Sequence, residues 1–299
     1  MKPWLVLAGE WLLAMLVRGM YLVMRAMGSR FGPAMGAAVA RGIGPLTPTH
    51  RIALANLRLA FPERDEAWIA ATAREAWDNL GRTACEYVHL PAIMAGTTPQ
   101  GLGPRLECDA ATEALFLQLH AMARPVLVFG AHLANWELPA VVSHAIAQNS
   151  AILYRTPNNR FIAADITAMR EPMMGKLIPA GVAAPIRMAE ALYAGVNLGM
   201  LIDQRFGRGP IVPFFGHPVA ANPFIARLAG RFGAPVYGMR TIRLGQGRFR
   251  IALEGPFELP RDASGRVDVT AATALLNHVI EGWVREYPGQ WLWMHRRWR

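Results

Sequence analysis

The chain has 299 residues, of which 53% are hydrophobic and 17% charged, and it carries a net charge of +10. Its mean hydropathy is +0.20, and its charged fraction falls below the roughly 25% usual for soluble domains. Lys2 and Lys176 are the only lysines among 31 basic residues, which argues against the lysine-dense surface of a nucleic-acid binder and for an anionic membrane surface.

From Trp4 to Met24 the chain is apolar except for Glu10 and Arg18, a length that suits a membrane span of about 20 residues. Each of those charges would cost roughly 2–3 kcal/mol near a bilayer centre. Three readings therefore stay open: a single span, an amphipathic helix in the interface, or a core helix. No Ala-x-Ala site with the right flanks marks a secretory signal. Arg18, Arg25, Arg30 and Arg41 place the remainder on the cytoplasmic side by the positive-inside rule. Residues 1–28 read as an anchoring helix and 29–299 as one catalytic domain.

Residues 51–95 show helical spacing broken at Phe61-Pro62-Glu63, and a second helix starts at Asp65-Glu66 with acidic residues in its first turn. Cys85 and Cys108, the only cysteines, fit no Cys-x-x-Cys or metal-ligand spacing and read as free thiols. Four apolar runs of strand length follow: Pro125–Phe129, Ala151–Tyr154, Val196–Ile202 and Pro235–Ile242. Helical patterns separate the first three, as in a parallel sheet. Gly245-Gln246-Gly247 turns the fourth into a hairpin. The expected fold is α/β, with a mixed, mostly parallel sheet flanked by helices behind the apolar N-terminal helix.

The first strand runs into Gly130-Ala131-His132-Leu133-Ala134-Asn135-Trp136-Glu137. On one continuous helix His132 and Glu137 would point about 140° apart. They meet only if His132 lies on the turn and Glu137 in the first helical turn, at the strand edge where α/β folds bind ligands. This reads as a general base with an orienting carboxylate; a turn histidine beside a capping glutamate is the plainer alternative. None of the four serines sits in a Gly-x-Ser-x-Gly elbow and neither cysteine has a motif, so a base at His132 would act on a hydroxyl of the substrate with no acyl-enzyme. His-Glu-x-x-His and related metal spacings are absent, and no cofactor motif appears.

Arg155, closing the second strand, and Arg170, on a predicted helix, suit phosphate binding or oxyanion stabilisation, or are simply solvated. Asp203-Gln204 ends the third strand. Val212-Pro213-Phe214-Phe215-Gly216 looks like an exposed apolar loop that either lines a lipid groove or packs. The C-terminal Trp291–Arg299 mixes aromatics with cations, which is interfacial membrane chemistry or a single-stranded nucleic-acid platform.

In order along the chain, Asn56-Leu57-Arg58-Leu59-Ala60-Phe61-Pro62-Glu63, His132-x4-Glu137, Tyr154-Arg155, Arg170, Asp203-Gln204, the Phe-Phe-Gly segment, Ala226-Arg227-Leu228-Ala229 and Gln290-Trp291 with His295-Arg296-Arg297-Trp298 resemble the lipid A biosynthesis acyltransferases of Gram-negative bacteria. These lie within the His-x4-Asp/Glu glycerolipid acyltransferases. Many relatives are Thr-rich after Phe-Phe-Gly, where this chain reads Val219-Ala220-Ala221-Asn222-Pro223. The resemblance implies transfer of a fatty acyl chain from a thioester, on acyl carrier protein or coenzyme A, to a hydroxyl of a lipid A precursor at the cytoplasmic face of the inner membrane. It casts His132 as the base, Glu137 as the group fixing its tautomer, Arg170 as the oxyanion stabiliser, and Arg155, Asp203 and Gln204 as organisers of the site. The rival readings are a same-fold enzyme for a lysophospholipid or aminolipid, and a non-catalytic membrane-bound binding protein. Nucleic acid is not an expected partner.

Overall fold

The computed structural model describes residues 3–298; Lys2 and Arg299, which belong to the anchor and tail readings above, lie outside them. Helix α1 (Pro3–Ile43) bends at Gly28, whose φ of 74° is open to glycine. Beyond the bend it packs on α3 (Glu66–Glu86) with backbones so close that a Cβ on Gly36 or Gly81 would strike the other's carbonyl. Before the bend it faces α7 (Arg160–Met174): Arg18 pairs with Asp165 at 2.8 Å and Glu10 with Arg160 at 3.0 Å. The other side of α1 leaves Trp4, Trp11, Leu12, Leu16 and Leu22 exposed, and this is the one described helix long and apolar enough to cross a membrane.

The predicted break at Phe61-Pro62-Glu63 falls between α2 (Pro48–Ala60) and α3. Asp65 caps α3 by accepting the Trp68 N–H at 2.7 Å, which satisfies an otherwise orphaned donor.

The main sheet has seven strands in the order β1 (Leu106–Glu107), β9 (Arg248–Glu254), β8 (Val236–Gly245), β2 (Leu127–Gly130), β5 (Asn197–Leu201), β3 (Ser150–Tyr154) and β4 (Lys176–Pro179). All neighbours are parallel except β8 and β9, the predicted hairpin. The mixed, mostly parallel sheet is therefore as expected, with two strands added. Neither β1, two residues long, nor β4, an edge strand ending in proline, has the apolar run that identifies a buried strand. Along β2, Leu127 and Phe129 join one buried cluster, while Val126 and Val128 pack on the other. That alternation is what a strand covered on both faces requires. The covering helices include α4 (Leu90–Ile93), α5 (Ala110–Ala121), α6 (Leu138–Ala145), α8 (Ala184–Tyr193), α9 (Phe224–Phe232) and α10 (Val269–Glu286).

Two expectations need correction. Val212–Gly216 is no exposed loop: it forms most of β6 (Ile211–Phe214) and the turn into β7 (His217–Ala220). Phe215 and Gly216 at the turn have φ of 52° and 74°, the pair of positive angles that a two-residue hairpin needs. Nor does the Trp291–Trp298 tail offer its aromatics to a surface. Trp291, Trp293 and Phe214 are buried, and Phe215 and Trp298 join them in edge and stacked contacts 4.6–6.4 Å between ring centroids. Each motif alone resembles a membrane-seeking segment; together they bury one another.

Candidate active site

β2 and β5 are adjacent and parallel, Gly130 beside Leu201, so the residues that follow them emerge together at the carboxyl edge. There the Asp203 carboxylate accepts twice from His132, from the backbone N–H to Oδ2 at 2.8 Å and from Nδ1 to Oδ1 at 2.8 Å. The Trp291 indole N–H donates to Oδ2 at 2.8 Å. Asp203 is 1% exposed, and three donors make its ionised form tolerable there. With Nδ1–H given to Asp203, Nε2 carries the lone pair. Gln204 Nε2 lies 3.3 Å from it. Burial disfavours the imidazolium, but the Asp203 charge and hydrogen bond outweigh that, and His132 titrates above its ordinary value. Asp203 shifts the other way: the His132 contacts hold it below the usual carboxylate range against its own burial.

Glu137 does not reach this imidazole's Nδ1, contrary to the orienting role expected for it. It stands at the N-cap of α6 and takes a two-pronged ion pair from Arg170 on α7, Nη2 to Oε1 at 2.6 Å and Nε to Oε2 at 3.2 Å. The Tyr87 and Tyr154 rings flank the guanidinium at 5.6 and 5.5 Å. Spacing alone did not separate the two carboxylates, because Asp203 arrives from another strand 71 residues away.

His132, Glu137, Arg170, Arg155 and Gln204 line one cavity of about 350 Å³, with Asp203 immediately behind His132. The cavity continues between apolar walls that include Val128, Ile152, Leu198, Met200 and Met239. It extends to Ser150 and Asn197, which pair with each other at the amino ends of β3 and β5. It therefore follows the sheet from one edge to the other. A polar head with an imidazole, two guanidinium groups and an amide opens on an apolar slot, a form that suits a long-chain molecule with a polar end. Among the described residues no group of three His, Cys, Asp or Glu side chains gathers as metal ligands.

Sequence reasoning missed Trp291 as a donor to Asp203, reading the tail as a membrane-interface or nucleic-acid segment. It also missed a polar network behind the His132 turn, made by Asn79, Thr83, Glu86, Asn135 and Arg243. Its trace in the sequence is the spacing of Asn79, Thr83 and Glu86, which sets three polar residues along one face of α3.

Residues 2–299 match the family model for bacterial lipid A biosynthesis acyltransferases. The chain is 26% identical over 308 residues to a lipid A biosynthesis palmitoleoyltransferase of Escherichia coli (strain K12), an alignment covering all of this chain and 92% of that one. The same figures relate it to a lipid A biosynthesis acyltransferase of Shigella flexneri. The chain thus belongs to the bacterial lipid A biosynthesis acyltransferases, and its activity is acyl transfer in lipid A synthesis.

Proposed function

We propose that the protein moves a fatty acyl chain from a thioester, carried by acyl carrier protein, to a hydroxyl of a lipid A precursor, with His132 as general base. The hydroxyl of an acyl chain already on the sugar gives its proton to His132 Nε2 as its oxygen attacks the thioester carbonyl. The tetrahedral oxyanion collapses, the carbon–sulfur bond breaks, and the imidazolium returns the proton to the departing thiolate. One ester and one thiol result, with no covalent enzyme intermediate. Asp203 replaces Glu137 as the group that sets the tautomer and supports the imidazolium. Glu137 instead holds Arg170 beside the cavity through Nε and Nη2, and the guanidinium stabilises the oxyanion by its charge. Gln204 and Arg155 line the same mouth and bind the polar parts of the substrates.

The observation that carries this reading is the His132–Asp203 pair opening on an apolar cavity. The membrane placement rests on α1, residues 1–28 serving as the anchor. Glu10 and Arg18 are spent on Arg160 and Asp165, which leaves the outward face of α1 apolar, and the arginines that follow the segment, Arg25 and Arg30 among them, support a catalytic domain on the cytoplasmic face of the inner membrane. The test is transfer from lauroyl-acyl carrier protein to a lipid A precursor in detergent micelles. His132→Ala should fold normally and lose at least 99% of the rate. Retention of more than a few per cent in a folded variant would remove His132 as the base.

A further inference from the structure

The turn that presents His132 and Glu137 contains Ala134 at φ 49°, a left-handed conformation that a β-carbon disfavours. Such a residue persists where its surroundings over-determine it. Its N–H donates to the Gln290 carbonyl at 2.8 Å. Its carbonyl accepts from Thr83 Oγ1 at 2.9 Å and from Asn79 Nδ2 at 3.2 Å. The next residue, Asn135, is 1% exposed and donates to Glu86 Oε2 at 2.9 Å, while its own Oδ1 accepts the Glu137 N–H at 3.2 Å. Asn79, Thr83 and Glu86 all belong to α3.

Each of those three side chains is held in turn by one guanidinium, that of Arg243 near the end of β8. Its Nε donates to Asn79 Oδ1 at 2.9 Å; its Nη2 donates to Thr83 Oγ1 at 3.1 Å and to Glu86 Oε2 at 3.0 Å; its Nη1 donates to Glu86 Oε1. Gln290 closes the ring, accepting the Arg243 N–H at 2.8 Å and donating to its carbonyl at 3.1 Å. The orientations follow from this donor supply. A donor on Asn79 Oδ1 forces the Nδ2 side of that amide toward Ala134. A donor on Thr83 Oγ1 turns its hydroxyl hydrogen to the Ala134 carbonyl. The Glu86 carboxylate, buried and paired through both oxygens with Arg243, also accepts from Asn135 at Oε2. A lysine carries its donors on a single nitrogen and cannot span Asn79, Thr83 and both Glu86 oxygens as the three guanidinium nitrogens do.

We infer that Arg243 is a positioning residue for acyl transfer, fixing through Asn79, Thr83 and Glu86 the strained turn that aims His132 and Glu137 into the cavity. The inference rests on the reading of His132 as the base. It is tested with Arg243→Lys and Thr83→Val in the full-length protein, measuring kcat and KM for lauroyl-acyl carrier protein and a lipid A precursor, beside thermal unfolding and His132→Ala. Arg243→Lys should lower kcat 10- to 100-fold with both KM values within threefold, and Thr83→Val should lower it 3- to 10-fold. Because Thr83 lies in the path from Arg243, the double variant should fall short of the product of the two losses. A kcat within twofold of wild type in folded variants, or losses confined to KM or proportional to the unfolded fraction, would overturn it. Should Arg243→Lys fail to fold, Thr83→Val decides alone. An active His132→Ala would sink the base assignment instead, a result separate from either of these.

Discussion

At the scale of single residues the site uses two carboxylates for two purposes. Asp203 meets the imidazole, and Glu137 meets Arg170. The distinction has a measurable consequence. Among the charges acting on His132, Asp203 is the stronger and Glu137 the weaker influence. Glu137→Gln should therefore cut kcat by roughly 10- to 100-fold, by freeing Arg170, while moving the ionisation of the base less than Asp203→Asn does. It should also destabilise the protein by about 3 kcal/mol, since it strands a largely buried guanidinium, a loss visible in denaturant unfolding. A larger pH shift from Glu137→Gln than from Asp203→Asn would restore Glu137 as the partner of His132. The place of His132 just past a strand was legible in the sequence, because a strand and the turn after it are local. Its partner was not, because parallel strands join residues far apart in the chain.

At the scale of elements, most of the sheet was legible: apolar runs bounded by Gly and Pro gave β2, β3, β5 and β8, and Gly245-Gln246-Gly247 gave the antiparallel pair. What escaped were short edge strands and the mutual burial of β6 and the tryptophan tail, a tertiary effect that overrides local pattern. β5 offers a test of whether the cavity holds the acyl chain. Gly199 lines the cavity, and a Cβ there would approach the Ile152 side chain to 2.9 Å. Gly199→Val should thus narrow the slot partway along. Competition between octanoyl and lauroyl thioesters is predicted to swing toward the shorter chain by tenfold or more in the variant. An unchanged ratio would place the acyl chain outside this cavity.

At the scale of the whole molecule, the apolar helix, the basic balance and the cavity act together. Glu10 and Arg18 argued against a plain span when read as isolated charges, but their partners lie on α7, the helix that also carries Arg170. The helix that presents apolar side chains outward is thereby tied to the wall of the site through α7. Composition pointed to a membrane surface, whereas the pairing that makes α1 compatible with one is a matter of three-dimensional contact. In the proposed mechanism His132 acts as a neutral base set by Asp203, and the pH dependence of kcat tests that most directly. A base must be unprotonated, and Asp203 raises the His132 pKa above the ordinary value near 6.5. The rate should therefore rise with pH through a single ionisation above that value. In Asp203→Asn, where burial acts without the opposing charge, the midpoint should drop and the maximal rate fall. A flat profile, or a midpoint unmoved by Asp203→Asn, would contradict it.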